Sequence, residues 1–286
     1  DIFIDMSGDE RDIYEAVENY ISSTYNNAAV DERNAVGFVM TIYRRRLASS
    51  FYALSRTLQD HLQAISTGKP VIHSEAADED VPDDEGDDDT FDADDAGKLQ
   101  QQALVFEEKS DIESLLARIQ KLPPDTKLET LKTTIEKLQQ EGYKQVMVFT
   151  QFTDTMDFIR KELWRLPNLS LMCFSGRGGE IPTADGGWRV ISRDDAKRRF
   201  REGQADVLLC TDAAAEGLNF QFCGALVNYE MPWNPMRVEQ RIGRIDRLGQ
   251  QYPNIKIINL QYEDTVETDV YRALRQRIGL FTSVVG

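Results

Sequence analysis

The chain has 286 residues, 33 basic against 49 acidic side chains, a net charge of −16, 41% hydrophobic residues and 9% aromatics. At about 100–200 residues per domain, that length accommodates one large or two modest domains with a sizeable core. No apolar run approaches the ~18 residues of a membrane-spanning helix, and the opening Asp1-Ile2-Phe3-Ile4-Asp5 lacks the basic flank of a signal peptide, so the sequence reads as cytoplasmic.

Residues 9 to 66 read as helical. Ile13, Ala16, Val17, Tyr20 and Ile21 fall at helical spacing, as do Val39, Ile42, Tyr43, Leu47, Phe51, Leu54 and Leu58. Residues 1–73 are therefore expected to form a helical subdomain, in which Arg44-Arg45-Arg46 is either a solvated helix face or a phosphate contact. Residues 74–97 form an acidic linker, expected to be disordered: 13 acidic residues and no Lys or Arg lie between Glu75 and Asp95. Without them the chain carries 33 basic against 36 acidic side chains, so net charge does not exclude a nucleic-acid partner. Asp84-Glu85-Gly86-Asp87 imitates a magnesium-binding acidic signature, but no apolar strand precedes it to fix the carboxylates, and solvated linker accounts for it.

From residue 98 to 286 the pattern changes to alternating helices and short apolar strands. Ser110 and Glu113 resemble a capping box ahead of Ile112, Leu115, Leu116 and Ile119, and Leu122-Pro123-Pro124 stops that helix. A second helix carries Leu128, Leu131, Ile135 and Leu138 and ends at Gly142. Strands then follow at 145–150, 169–174, 206–210, 225–230 and 254–261, with helices at 154–165, 193–202, 235–246 and 265–280. Cys173, Cys210 and Cys223 are odd in number and form no CxxC pair, which indicates buried thiols rather than disulfides or zinc ligands. The alternation predicts an α/β class, a RecA-like parallel sheet with helices on both faces, with ligands at the carboxyl ends of the strands.

Three segments fall at those ends. Thr150-Gln151-Phe152 follows the first strand. Thr211-Asp212-Ala213-Ala214-Ala215-Glu216-Gly217-Leu218-Asn219 follows Val207-Leu208-Leu209-Cys210, and its small residues suit either close backbone approach to a phosphate or ribose, or tight strand–helix packing. The third is Gln240 through Gln250, where Arg241, Arg244 and Arg247, with Arg237 just ahead, recur at three- and four-residue intervals, so a continuous helix would align them. Guanidinium groups suit phosphate recognition; on spacing alone, a paired surface helix fits as well.

The order of these segments resembles the second, C-terminal RecA-like lobe of superfamily 2 helicases, most closely the Swi/Snf-type ATPases and their bacterial RapA-like members. The matching stretches are Val146-Met147-Val148-Phe149-Thr150-Gln151-Phe152 (motif IV), Asp206 through Asn219 (motif V), Pro232-Trp233-Asn234-Pro235, and Gln240 through Gln250 (motif VI). The resemblance implies that Arg244 and Arg247 are arginine fingers to an ATP γ-phosphate. It implies nucleotide-side roles for Gln240, Gly217 and Asn219, the last replacing an Asp common in helicases. It implies nucleic-acid-backbone contacts at Thr211, Gln151, Ser175 and Gly176, with Trp233 approaching DNA at the lobe junction or packing a turn. By position, helix 9–66 would be the protrusion of such enzymes, and helix 265–280 a brace. The implied cofactor is ATP with magnesium. The implied partners are double-stranded DNA, an N-terminal RecA-like lobe and RNA polymerase.

One absence limits what the chain can do alone. No G-x-x-x-x-G-K-[ST] phosphate loop occurs; Gly68-Lys69-Pro70 and Gly97-Lys98-Leu99 lack the earlier glycine and the hydroxyl. The chain by itself is expected to be inactive, with ATP held mainly by a lobe outside it. An RNA helicase lobe, or a non-catalytic RecA-like interaction module, remains the alternative to a DNA translocase.

Overall fold

Ser7 and Glu10 open the first helix reciprocally. The Ser7 N–H donates to the Glu10 carboxylate at 2.7 Å and the Glu10 N–H donates to the Ser7 hydroxyl at 3.3 Å, satisfying amides that a helix start leaves unpaired. The computed structural model describes residues 1–27, 33–67, 109–212, 219–269 and 271–272. These fall into two units, residues 7–123 and residues 1–6 with 124–286. The acidic segment 74–97 lies outside the described residues.

The first unit is helical, as the periodicity predicts: α1 (Gly8–Asn27), α2 (Arg33–Ser49), α3 (Phe51–Thr67) and α4 (Lys109–Ile119). Ser50 breaks α2 from α3, and its hydroxyl accepts from the Ala53 N–H at 3.0 Å, an N-cap. Ile13, Val17, Val39, Leu47, Leu54, Leu58, Ile112 and Leu116 are all buried, and α4 packs on α1 and α3. Ser110 is already helical and so does not cap α4; Lys109 instead pairs with Glu113 at 3.8 Å. The sequence pattern groups this helix with the α/β segment, whereas its apolar face is covered by the helices of residues 7–67.

Within this unit His61 is 7% exposed, its Nδ1 hydrogen-bonded to the Tyr43 hydroxyl, and Tyr43 stacks on Tyr20 with ring centroids 6.3 Å apart. Burial lowers the His61 pKa from 6.5 to about 4. The unfolded chain therefore takes up a proton near pH 6.5, while the folded one resists until about pH 4. The stabilisation is present above 6.5 and is lost as pH falls through that window, by about 3 kcal/mol in all. Urea midpoints of wild type and His61→Asn measured between pH 7 and 4 are expected to converge as pH falls; parallel curves would contradict this.

The second unit is an α/β lobe. Its strands are β1 (Ile2–Ile4), β2 (Val146–Thr150), β3 (Leu171–Ser175), β4 (Gly178–Pro182), β5 (Trp188–Ile191), β6 (Val207–Thr211), β7 (Ala225–Asn228) and β8 (Lys256–Tyr262). Its helices are α5 (Thr126–Gln140), α6 (Thr153–Leu163), α7 (Arg193–Arg201) and α8 (Pro235–Ile242). Residues 266–269 and 271–272 are also helical, Thr265 is a bend, and residues 270 and 273–280 of the expected helix 265–280 lie outside the described residues. No described helix is long and apolar enough to cross a membrane.

The sheet order is β1-β8-β7-β2-β6-β3-β4-β5. The first six strands are parallel, as the alternation predicts, with Val146 opposite Val207 on one side and Ala225 on the other. β4 and β5 add an antiparallel hairpin that the alternation does not predict, so the sheet is mixed. β1 is likewise unexpected, a three-residue strand parallel to β8.

Each central strand is buried on both faces, hence the unbroken apolar runs. Met147, Phe149, Met172, Phe174, Leu208 and Cys210 meet Ala196 and Phe200 of α7, with Phe220, Phe222 and Ile245. The alternate residues Val146, Val148, Leu171, Cys173, Val207 and Leu209 are equally buried, and α6, with Met156, Ile159 and Leu163 inward, packs against β2, β3 and β6. Burial pushes all three cysteine thiols up, Cys223 to about 12, which marks them as inert packing residues. Just before β7, a methyl group on Gly224 would stand 2.4 Å from the Tyr252 ring, so only glycine admits that ring against the backbone.

Candidate functional site

Because β2, β6 and β7 run parallel, their carboxyl ends open on the same edge of the sheet. Asp212 follows β6, Glu230 and Met231 follow β7, and Gln151 follows β2. Arg241 of α8 joins them. It is 2% exposed, and its guanidinium donates to Asp212 through Nε at 2.6 Å and Nη2 at 2.7 Å, a bidentate pair. Nη1 donates to the Asn228 side-chain oxygen at 2.8 Å and the Glu230 carbonyl at 3.1 Å, and the cation lies 5.4 Å from the Phe149 ring centre. Arg237 stands 3.9 Å from the same Asp212 carboxylate.

This corrects the expected row of four arginines. α8 ends at Ile242, where the Gly243 N–H closes on the Glu239 carbonyl, four residues short of the predicted boundary. Arg241 points into the protein. Arg244 and Arg247 stand in the turns that follow, half-buried and exposed respectively. Those turns are anchored: Ile245 is fully buried, the Phe220 N–H donates to the Arg244 carbonyl at 2.8 Å, and Gln250 Nε2 donates to the carbonyls of Ile245 at 2.7 Å and Cys223 at 3.0 Å. The Arg247 Nε donates to the Gly243 carbonyl at 2.6 Å, and Gln240 is exposed on α8.

A second buried layer supports the exit of β7. Lys127, fully buried, lies 4.6 Å from the Tyr262 ring centre and 5.4 Å from that of Tyr229. The Glu230 carboxylate accepts from the Gln151 N–H, and Glu267 accepts from the Met231 N–H at 3.3 Å. Burial raises both carboxyl pKa values, Glu267 to about 7, against the pull of Lys127. Sequence spacing does not reveal this layer, because Lys127, Glu230 and Glu267 come from distant segments.

The other sequence-predicted residues are placed as follows. Thr211 ends β6 and is buried, opposite Thr150 of β2. Gln151 is half-buried, its amide 3.5 Å from the Met231 carbonyl. Ser175 is buried, its hydroxyl accepting from the Arg177 N–H at 3.2 Å, and Gly176 is exposed in the β3–β4 turn. Trp233 is half-buried in the bend before α8, where the Asn234 side chain caps the helix by accepting from the Met236 N–H at 2.9 Å. Asn219 is half-buried with a buried Oδ1 that has no hydrogen-bond partner. Gly217 lies outside the described residues.

The N–H donors and the amide oxygen at this edge are groups of the kind that hydrogen-bond a phosphate or a ribose. Arg244, Arg247 and Gln240 supply N–H groups, and the Asn219 oxygen is an acceptor awaiting a donor. Among the described residues no group of three His, Cys, Asp or Glu could hold a metal ion.

Residues 126–249 match the family described as helicase conserved C-terminal domain. The chain is 35% identical over 187 residues to the uncharacterized ATP-dependent helicase YqhH of Bacillus subtilis, covering 65% of this chain and 30% of that protein. It is 40% identical over 97 residues to the RNA polymerase-associated protein RapA of Serratia proteamaculans, covering 33% of this chain and 10% of RapA. The chain thus spans less than a third of the length of these relatives. In fold it is similar to the Hef helicase domain of Pyrococcus furiosus, with TM-score 0.55 and 15% identity over 96% of this chain and 57% of that one. It is similar also to the C-terminal part of the Fun30 ATPase domain, with TM-score 0.54 and 12% identity over 95% and 87%. Residues 126–249 are therefore similar to the helicase conserved C-terminal domain, on a lobe whose fold is RecA-like.

Proposed function

We propose that the chain is the second motor lobe of an ATP-driven translocase on double-stranded DNA. The observation that carries this reading is the anchored turn after α8, in which buried Ile245 and the Arg244 carbonyl bond hold two arginines at fixed positions on a lobe of the helicase C-terminal family. ATP with magnesium, held mainly by another lobe, supplies the transferable γ-phosphoryl group. The chain's own part is electrostatic and positional. Arg244 and Arg247 offset charge on the phosphoryl oxygens, Gln240 holds the nucleotide side of the cleft, and Gly217 and Asn219 meet the sugar. Thr211, Gln151, Ser175, Gly176 and Trp233 hold the nucleic-acid backbone, so binding is largely independent of sequence and weakened by salt. RNA polymerase is proposed as a further partner, on the likeness to a protein named for that association.

The test is ATP turnover by the full polypeptide that carries this chain, with duplex DNA, single-stranded DNA or RNA added. Strongest stimulation by duplex DNA is the expected result. Strongest stimulation by RNA would make this an RNA-dependent lobe, and no turnover under any condition would make it a docking module.

A further inference from the structure

α7 carries five cations, and the structure divides them into two sets. On one flank Arg198 pairs with Asp195 and with Glu202, and Arg199 pairs with Asp195 at 2.9 Å, so the carboxylates of Asp195 and Glu202 are consumed there. Arg193, Lys197 and Arg201 lie on the other flank, at i, i+4 and i+8, a straight row along the helix. No described carboxylate pairs with any of the three, and the one remaining acid, Asp194, sits in the first turn, where it complements the helix dipole. Arg193 and Arg201 are exposed and Lys197 is half-buried. The two guanidinium groups lie 5.7 Å and 5.6 Å from the ring centres of buried Phe174 and Phe222, so each charged head rests over a ring rather than on a carboxylate.

The row has a direction. Phe174 immediately precedes Ser175 of the β3–β4 turn, and Phe222 lies in the loop before β7, so the row descends from the turn already assigned to the backbone along the height of the sheet. That turn's own arginine, Arg177, is neutralised by Asp157 at 2.7 Å and Glu180 at 3.4 Å. Eight residues of helix span about 12 Å at ~1.5 Å per residue, a length that meets about three phosphates of one strand.

We infer that Arg193, Lys197 and Arg201 form a second nucleic-acid-backbone contact, a cationic ridge that carries the strand beyond the Ser175-Gly176 turn. The inference rests on the nucleic-acid reading above and adds to it a surface that none of the helicase motifs contains. Because the contact is to phosphates, it contributes affinity and salt dependence without sequence preference.

The experiment is the salt dependence of duplex binding by the full polypeptide, read by fluorescence anisotropy without nucleotide, for wild type, the triple variant R193Q/K197Q/R201Q and the charge-keeping variant R193K/R201K. At about 0.9 per phosphate contact, the slope of log affinity against log salt is expected to become shallower by about 2–3 in the triple variant and to stay unchanged in the lysine variant. Unchanged melting of the triple variant excludes misfolding as the cause. A triple variant with the wild-type slope would overturn the ridge alone. A wild type that binds no nucleic acid would overturn both the ridge and the nucleic-acid reading.

Discussion

Arg244→Ala in the full polypeptide is expected to lower nucleic-acid-stimulated ATP turnover by about 10³–10⁵-fold, the range in which an arginine aimed at a transferring phosphoryl group acts. The fold is expected to survive. The anchoring of this turn runs through the Arg244 carbonyl, the Ile245 side chain and Gln250, none of which the substitution removes. Nucleotide affinity, read by equilibrium titration, is expected to change far less than turnover, because in the proposed role Arg244 would offset charge that develops during transfer. Turnover within a few-fold of wild type would remove the arginine-finger assignment.

Arg241→Ala is expected to act through stability. It deletes a guanidinium that is 2% exposed and leaves the Asp212 carboxylate without its bidentate partner. Breaking a buried pair from one side costs about 3–5 kcal/mol, because a charge is stranded. Urea unfolding of the lobe is the measurement. Asp212→Ala is expected to be costly in the same way, and the double variant to cost less than the two single losses together, since no stranded charge remains. A single-variant loss below about 1 kcal/mol would show that the lobe tolerates the open pair. The two arginines are three residues apart, and the expected effects differ: one substitution acts on turnover and the other on stability.

Spacing alone does not separate them. Both are arginines at helical intervals in a segment with few acids, and what distinguishes Arg241 is Asp212, 29 positions away in sequence. Gly243 marks where the helix stops, but in sequence a glycine inside an arginine-rich helical pattern reads equally as a packing position. The parallel core was legible because β2, β3 and β6 each open with four apolar residues in a row and are separated by helical periodicity. The β4–β5 hairpin was not, because β4 carries two glycines, a glutamate and a proline instead of an apolar run and β5 is four residues long without a buried face, although Asp185-Gly186 between Ile181 and Val190 is a hairpin signal, and Gly186 does adopt φ +81°. β1 escaped because three residues carry no measurable alternation. The motif residues around the carboxyl ends were legible by type and order; the charged layer of Lys127, Glu230 and Glu267 beneath them was not, since only the fold brings those segments together.

The two ends of the sheet are short strands. β1 has three residues flanked by Asp1 and Asp5, and β5 has four, with Arg189 exposed. An open strand edge is a template for pairing with another molecule, and brevity and charge are what blunt it. The fully buried, Val- and Leu-rich strands β7, β2 and β6 are enclosed between β8 and β3, so the order of strands keeps its stickiest segments from presenting a free edge in the folded state.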